Sequence, residues 1–345
     1  MSGSISWRLV MLSVATALGV AACGSEETPT EPLGGTTPAL AAVATYTAVD
    51  LGTLGGNNST AFAINSTGQV VGYSVTAAGE GHAFLWSKGV MTDLGTLGGN
   101  FSRAFGIDSV GRVVGGAATA GSQGNTHAFL WTKGVMKDLG TLGGTFSEAD
   151  AINASGQVVG YSTTVQGHFH AFLWQNGVMK DLGTLGGGYS WAHGISPLGD
   201  IVGESKTAGG RIHAFLWSNG KMTDLGTLGG NKSQAFGINR DGRIVGASTK
   251  VGGVVHAFLR KNGVMTDMGT LPGATTSAAF GLNPAGEVVG TSGSRAFIWV
   301  QGTKKDLGTL GGSVAQAFAI NRLHQVVGES TTLSGSGHAT LWKPN

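Results

Sequence analysis

Asp93-Leu-Gly-Thr-Leu-Gly-Gly99 is one of seven copies of the motif Asp-(Leu/Met)-Gly-Thr-Leu-(Gly/Pro)-Gly, which begin at Asp50, Asp93, Asp138, Asp181, Asp224, Asp267 and Asp306. Successive starts lie 43, 45, 43, 43, 43 and 39 residues apart. Self-similarity at such a period marks one supersecondary unit copied along the chain, each copy burying against its neighbours a face it cannot bury alone. The period sets an architecture and leaves the activity open.

Working outward from the motif, each unit reads as four short strands. In the first unit these are Ala61-Phe-Ala-Ile-Asn65, Gln69-Val-Val-Gly-Tyr-Ser74, His82-Ala-Phe-Leu-Trp86 and Val90-Met-Thr-Asp-Leu94. A turn at Ser66-Thr67-Gly68 separates the first two, a Gly-rich loop follows, and Lys88-Gly89 turns the third strand into the fourth. Asn176-Gly177, Asn219-Gly220 and Asn262-Gly263 hold that last position in other units and are strong hairpin signals, because both turn positions want positive φ. Alternating small and large side chains on the first strand suit the crowded centre of a radial structure, so the unit reads as a propeller blade. A fourth strand follows a third strand only six times, and Tyr46-Thr-Ala-Val-Asp50 supplies the missing copy at the other end of the chain. The expectation is an all-β, seven-bladed β-propeller of four-stranded antiparallel blades, closed by an N-terminal strand that completes the last blade and leaves no free edge. A linear β-solenoid is the rival, although its coils are shorter and would not need the terminal exchange.

The first residues give an address. Met1 to Arg8 carries one positive side chain, and Leu9 to Ala22 is an apolar run short for a bilayer span, the pattern of a secretory signal peptide. Val20-Ala21-Ala22-Cys23 resembles the lipobox of bacterial lipoproteins, which implies lipidation of Cys23, the chain's one cysteine. In that pattern Gly24, rather than an aspartate, implies outer-membrane or surface placement. The expected divisions are a signal peptide over 1–22, a lipidated Cys and flexible tether over 23–43, and a repeat domain over 44–345. The tether follows from a Ser-, Glu-, Thr- and Pro-rich composition that cannot offset its ordering entropy. Charged residues are 12% of the chain, the formal net charge is +2, and no basic run occurs, which argues against nucleic acid as a partner.

The third strands carry a resemblance. His82-Ala-Phe-Leu-Trp86, His127-Ala-Phe-Leu-Trp131, His170-Ala-Phe-Leu-Trp174 and His213-Ala-Phe-Leu-Trp217 are similar to the HAF repeats of a family of extracellular bacterial proteins. His256-Ala-Phe-Leu-Arg260, Arg295-Ala-Phe-Ile-Trp299 and His338-Ala-Thr-Leu-Trp342 continue the series, with departures at Arg260, Arg295 and Thr340. The resemblance implies secretion and a repeat fold, and no reaction, cofactor or catalytic residue.

Most repeated polar residues read as scaffold. The histidines that open the third strands stand one per blade and cannot converge on a metal ion; the expectation is a hydrogen bond from each to the neighbouring blade. The motif aspartates accept backbone N–H bonds and fix the linker turn. Ser59, Ser102, Ser147, Ser190, Ser233 and Ser277 recur too regularly for a nucleophile, and no Gly-x-Ser-x-Gly elbow occurs. Asn239-Arg-Asp-Gly242 resembles part of a calcium loop but occupies a hairpin position.

Function is therefore sought where one unit departs from the rest. Phe62, Phe105, Phe236, Phe280 and Phe318 share a position that the third and fourth units fill with Asp150 and His193. Two residues earlier those units carry Glu148 and Trp191, with Tyr189 nearby. Carboxylates, an imidazole and aromatic faces on neighbouring blades suit a sugar-binding cleft, or acid–base chemistry. Glu148, Asp150, Tyr189, Trp191 and His193 are the ligand-binding candidates, and no catalytic or metal-binding residue is assigned. The favoured reading is a monomeric, lipid-anchored binding module of the bacterial envelope, with a glycan or a surface protein as ligand. A polysaccharide lyase or hydrolase and a purely structural envelope protein are the alternatives.

Overall fold

The structure, a computed structural model, describes residues 45–121 and 125–345. The signal peptide, the lipidation site at Cys23 and the expected tether lie outside the described residues. The described chain is all-β, with 28 strands and no helix, and the architecture is propeller-like.

Strands pair antiparallel in fours, as the repeat predicts. In the first unit they are Gly55–Ile64, Val70–Thr76, Gly81–Ser87 and Val90–Asp93. The first strand is longer than expected, because the Gly-Gly of the linker motif already pairs with the end of the second strand, Gly55 opposite Thr76. The hairpins behave as their sequences require: Asn176 and Gly177 have φ of 52° and 86°. At the chain's ends, Tyr46–Asp50 pairs antiparallel with the C-terminal strand Gly337–Pro344, so the N-terminal strand completes the last four-stranded sheet.

Each first strand carries a β-bulge. In the third unit Ala149 faces Gly160 and Ala151 faces Val159, leaving Asp150 between them without an opposite residue. The bulge drives a carbonyl of the first strand against the second, so a Cβ on Gly160 would collide with the Glu148 carbonyl; the (Val/Ile)-Val-Gly of each second strand has its glycine for this reason.

The recurring serines join one unit to the next. Ser102 Oγ donates to Gly95 O in its own linker (2.6 Å) and accepts from Ala83 N of the preceding unit (2.8 Å). The same pair of bonds holds at Ser59, Ser147, Ser190, Ser233 and Ser277. Asn65 caps its own turn through Oδ1 and passes an Nδ2–H bond to Asp108 O of the next unit.

The motif aspartates do what was expected, each accepting from the glycine N–H two residues on, as Asp93 does from Gly95 at 2.8 Å. The histidines do not. His82 Nδ1 lies 2.7 Å from Asp93, within its own unit rather than across to a neighbour. The antiparallel hairpin places the start of the third strand beside the end of the fourth, so the repeated His meets the repeated Asp of the same sheet. Arg295 and Asp306 replace the pair in the sixth unit (3.4 Å), and His338 meets Asp50 across the chain's ends.

Candidate functional site

The bulged positions of successive first strands pack against one another in a buried row. The rings of Phe62 and Phe105 lie 5.1 Å apart, and Phe62–Phe318, Phe318–Phe280 and Phe280–Phe236 follow at 5.4–5.7 Å. His193 continues the series 5.4 Å from Phe236, and its Nδ1 lies 3.0 Å from Asp150 Oδ2. Two of the sequence candidates are thus brought together, but in a buried row rather than on the surface: Asp150 is 1% exposed and His193 4%.

Burial dominates the electrostatics of this pair. It pushes the Asp150 carboxyl well above the usual carboxylate range, with Glu148 adding to the rise and Arg103 opposing it. It holds His193 below its ordinary value, against a weaker upward pull from Glu204. Asp150 Oδ1 and His193 Nε2 are buried with no hydrogen-bond partner among the described residues. Neither group offers an atom to a ligand outside, so the pair acts on the face above it only by shaping its support.

That face holds the other three candidates. Glu148 is buried, with Oε1 accepting from Tyr161 Oη at 2.8 Å and Oε2 facing Arg103 Nη2 at 3.3 Å. Above it, where the third and fourth units meet, five partly exposed aromatic rings gather. Trp191 lies 5.1 Å from Tyr161 and 5.6 Å from Tyr189, and stands edge-on to Phe169 at 6.4 Å. Phe146 stacks on Tyr161 at 5.7 Å. Burial raises the phenol pKa of Tyr161, helped by Glu148, and that of Tyr189, helped by Glu204, so both hydroxyls stay protonated donors. Flat apolar faces edged by a carboxylate, a guanidinium and phenol hydroxyls can stack on a ring-shaped ligand and hydrogen-bond its rim.

Tyr161, Phe146, Phe169 and Arg103 are the members not singled out from the sequence. A signal was available. Tyr161 lies opposite Glu148 in register, and aligning the second strands of all units sets Tyr73 and Tyr161 apart from Gly116, Glu204, Ala247, Thr291 and Glu329. The tilted contact of Tyr161 with Trp191 joins different units and could not be read from one unit alone.

The remaining polar outliers serve the frame. Glu204 accepts from Gln234 Nε2 of the next unit, and Asn239 accepts from the Asp241 and Arg243 N–H groups as an ordinary turn. A second concavity, an open cleft of about 350 Å³, lies between the fourth and fifth units, with Arg211, Asn231 and Lys250 among its walls. Lys250 there is paired with Asp267 at 2.7 Å.

No protein-family model matches the chain, and no curated protein matches it in sequence. Solved structures resemble it in fold. TolB from Acinetobacter baumannii is 12% identical with a TM-score of 0.43, over 77% of this chain and 76% of that one. A puromycin-hydrolyzing peptidase of Mycobacterium tuberculosis is 12% identical with a TM-score of 0.49, over 93% of this chain and 55% of that one. A puromycin hydrolase is 13% identical with a TM-score of 0.52, over 93% of this chain and 56% of that one. At such identities the likeness concerns fold alone, and the similarity to the puromycin hydrolase agrees with a propeller-type, all-β architecture.

Proposed function

We propose that this chain is an envelope-anchored binding module of the HAF-repeat type, a closed seven-bladed propeller that presents a glycan-binding face. Closure is supported by three contacts between the first and last units. Asn321 Nδ2 donates to Asn65 O (3.1 Å), Thr60 Oγ1 donates to Glu329 (2.8 Å), and Phe62 meets Phe318. Anchoring is supported by the lipobox-like Val20-Ala21-Ala22-Cys23 and the signal-like run before it.

The observation that carries the binding reading is the convergence of Phe146, Tyr161, Phe169, Tyr189 and Trp191, all partly exposed, at one junction of a rigid frame. Other junctions lack it: the positions of Trp191 and Tyr161 are filled elsewhere by Thr60 with Glu329 and by Gln234 with Glu204. Sugar rings offer the C–H faces and hydroxyl edges that such a platform takes. An enzyme reading would need a carboxylate or imidazole open to the ligand, and Glu148, Asp150 and His193 are all buried.

A glycan-array assay tests the proposal, with Trp191→Ala and Tyr189→Ala as comparison proteins. Saturable binding that drops tenfold or more in Trp191→Ala is the expected result, since one stacked aromatic is worth roughly 1–3 kcal/mol. An empty array, or binding indifferent to both substitutions, would remove the glycan ligand and leave a protein partner or a structural role.

A further inference from the structure

The formal net charge of +2 conceals a sharp division between the two ends of the molecule. In every unit the turns joining first to second and third to fourth strands lie at one end, while the linkers and the loops joining second to third strands lie at the other. Bonds between units keep the ends aligned, as Arg112 Nη2 donates to Ala154 O in the matching turn of the next unit. Among the described residues, the hairpin end holds ten Lys and Arg against four carboxyl groups. Two of those four, Asp108 and Glu287, are buried against Arg112 and His324. The opposite end holds six Lys and Arg against twelve Asp and Glu, of which Glu148, Asp150 and Glu204 are buried. Four further lysines (Lys137, Lys180, Lys304 and Lys305) lie along the outer strands.

The basic end also carries apolar tips. Lys88 and Lys133 sit exposed in the hairpin turns, while Lys261 directly precedes one and Lys221 directly follows one, both exposed. Beside them Val90, Val135, Val178 and Val264 are 63–68% exposed, and Val110, Leu198 and Leu323 project from the neighbouring turns. Aliphatic side chains are exposed on the opposite loops too, at Val165, Val251 and Leu333, but that end is the one rich in carboxylates.

Finally, the basic end is where the rest of the chain is attached. Thr45 O accepts from Asn345 N at 2.9 Å, so the 44 residues that precede Thr45 join the molecule there, Cys23 among them.

We propose that the hairpin end docks on an anionic phospholipid surface, with the lysines against headgroup phosphates and the valine tips at the interface. Charge complementarity, a ring of aliphatic tips and the point of attachment all favour the same end, and they favour a membrane over a soluble acidic protein because the apolar contacts are spread around the end rather than gathered in one groove. In this pose the aromatic face points away from the membrane. The inference is independent of the glycan ligand, and only the argument from the point of attachment draws on lipidation of Cys23.

The test is vesicle co-sedimentation of residues 23–345 carrying Cys23→Ser, so that neither an acyl chain nor the apolar run Leu9 to Ala22 contributes. Vesicles of phosphatidylglycerol with phosphatidylcholine are compared with pure phosphatidylcholine, at low and at physiological salt. The expected result is preference for the anionic vesicles, weakened by salt and reduced about a hundredfold or more by the joint reversal Lys88→Glu, Lys133→Glu, Lys221→Glu and Lys261→Glu, since each basic residue near the surface is worth roughly fivefold. Circular dichroism and thermal unfolding establish that the variant is folded. A second variant, Lys206→Glu with Lys232→Glu, alters net charge at the opposite end and should bind as the parent does. Equal binding to both vesicle types, equal loss in the two variants, or retention by soluble polyglutamate but not by vesicles would each overturn the proposal.

Discussion

Asp150 and His193 are the two residues that break the pattern of the buried phenylalanine row, and they make the clearest predictions for a single side chain. His193→Ala leaves a cavity and an unpartnered carboxyl in a sealed site, which should cost about 2–4 kcal/mol of stability. Chemical denaturation measures it, and a loss under about 0.5 kcal/mol would mean the pair is dispensable. Its pH dependence has a definite sign. Asp150, raised in the fold, contributes stability that is complete below its ordinary value of 3.8 and declines as pH rises above it. His193, lowered in the fold, contributes stability that is complete above its ordinary 6.5 and declines as pH falls below it. Between those values the two trends oppose, because the pair holds one proton in either state of the chain, so a plateau flanked by two declines is expected. Unfolding curves of the parent and of Asp150→Asn with His193→Gln, taken from pH 3 to 9, should differ in this shape.

For strands and their junctions, the decisive interactions are polar rather than apolar. Each bridging serine satisfies a carbonyl of its own linker and an amide of the preceding unit, both buried. Ser102→Ala strands Ala83 N and Gly95 O, and the expected loss is about 1–3 kcal/mol. In the seventh unit Ala315 stands at that position, and Trp342 Nε1 takes over one of the two bonds by donating to Gly308 O at 3.3 Å. At the Met position of the outer strands, the sixth unit has Lys304 where others have Met91, Met136, Met179, Met222 and Met265. Burial lowers its amine to about 8, against a weaker pull from Asp267. Its stabilising contribution is complete only above 10.5 and is lost as pH falls through about 8, so at neutral pH the charged amine is a burden. Allowing for its partial exposure, Lys304→Met should raise stability by about 1 kcal/mol at pH 7 and by less at pH 10, read by thermal unfolding.

On the scale of the whole molecule, the proposed ring makes all seven junctions equivalent, and the location of the chain ends becomes arbitrary. A circular permutant that joins Asn345 to Thr45 through a short linker and opens at Asn176-Gly177 would then complete the third unit by strand exchange as the native chain completes the seventh. It should fold, with a melting temperature within several degrees of the parent. Aggregation or a broad, multistep transition would instead favour an open array, whose free end strands invite pairing with other chains. Packing of unit on unit also explains why the aromatic platform forms between units rather than within one: Trp191 reaches Tyr161 only because the first strand of one unit packs beside the second strand of the preceding one.

Sequence by itself determined what depends on local repetition. The strand pattern, the positive-φ hairpins, the glycine in each second strand and the missing fourth strand are written into every unit, because backbone geometry is dictated by neighbours a few residues away. The exceptional residues Glu148, Asp150, Tyr189, Trp191 and His193 were legible as departures from that repetition. Their placement was not. The bulge between Ala149 and Ala151, and its counterpart between Ala192 and Gly194, turns Asp150 and His193 inward while Trp191 and Tyr189 stay at the face, and an irregularity of one residue has no signature in composition or period. The partners of the repeated histidines, the aromatic contacts across units and the opposite charges of the two ends were decided by tertiary structure alone. Each depends on which turns and loops are brought to the same end, and residues some 43 positions apart become neighbours only once the units are stacked.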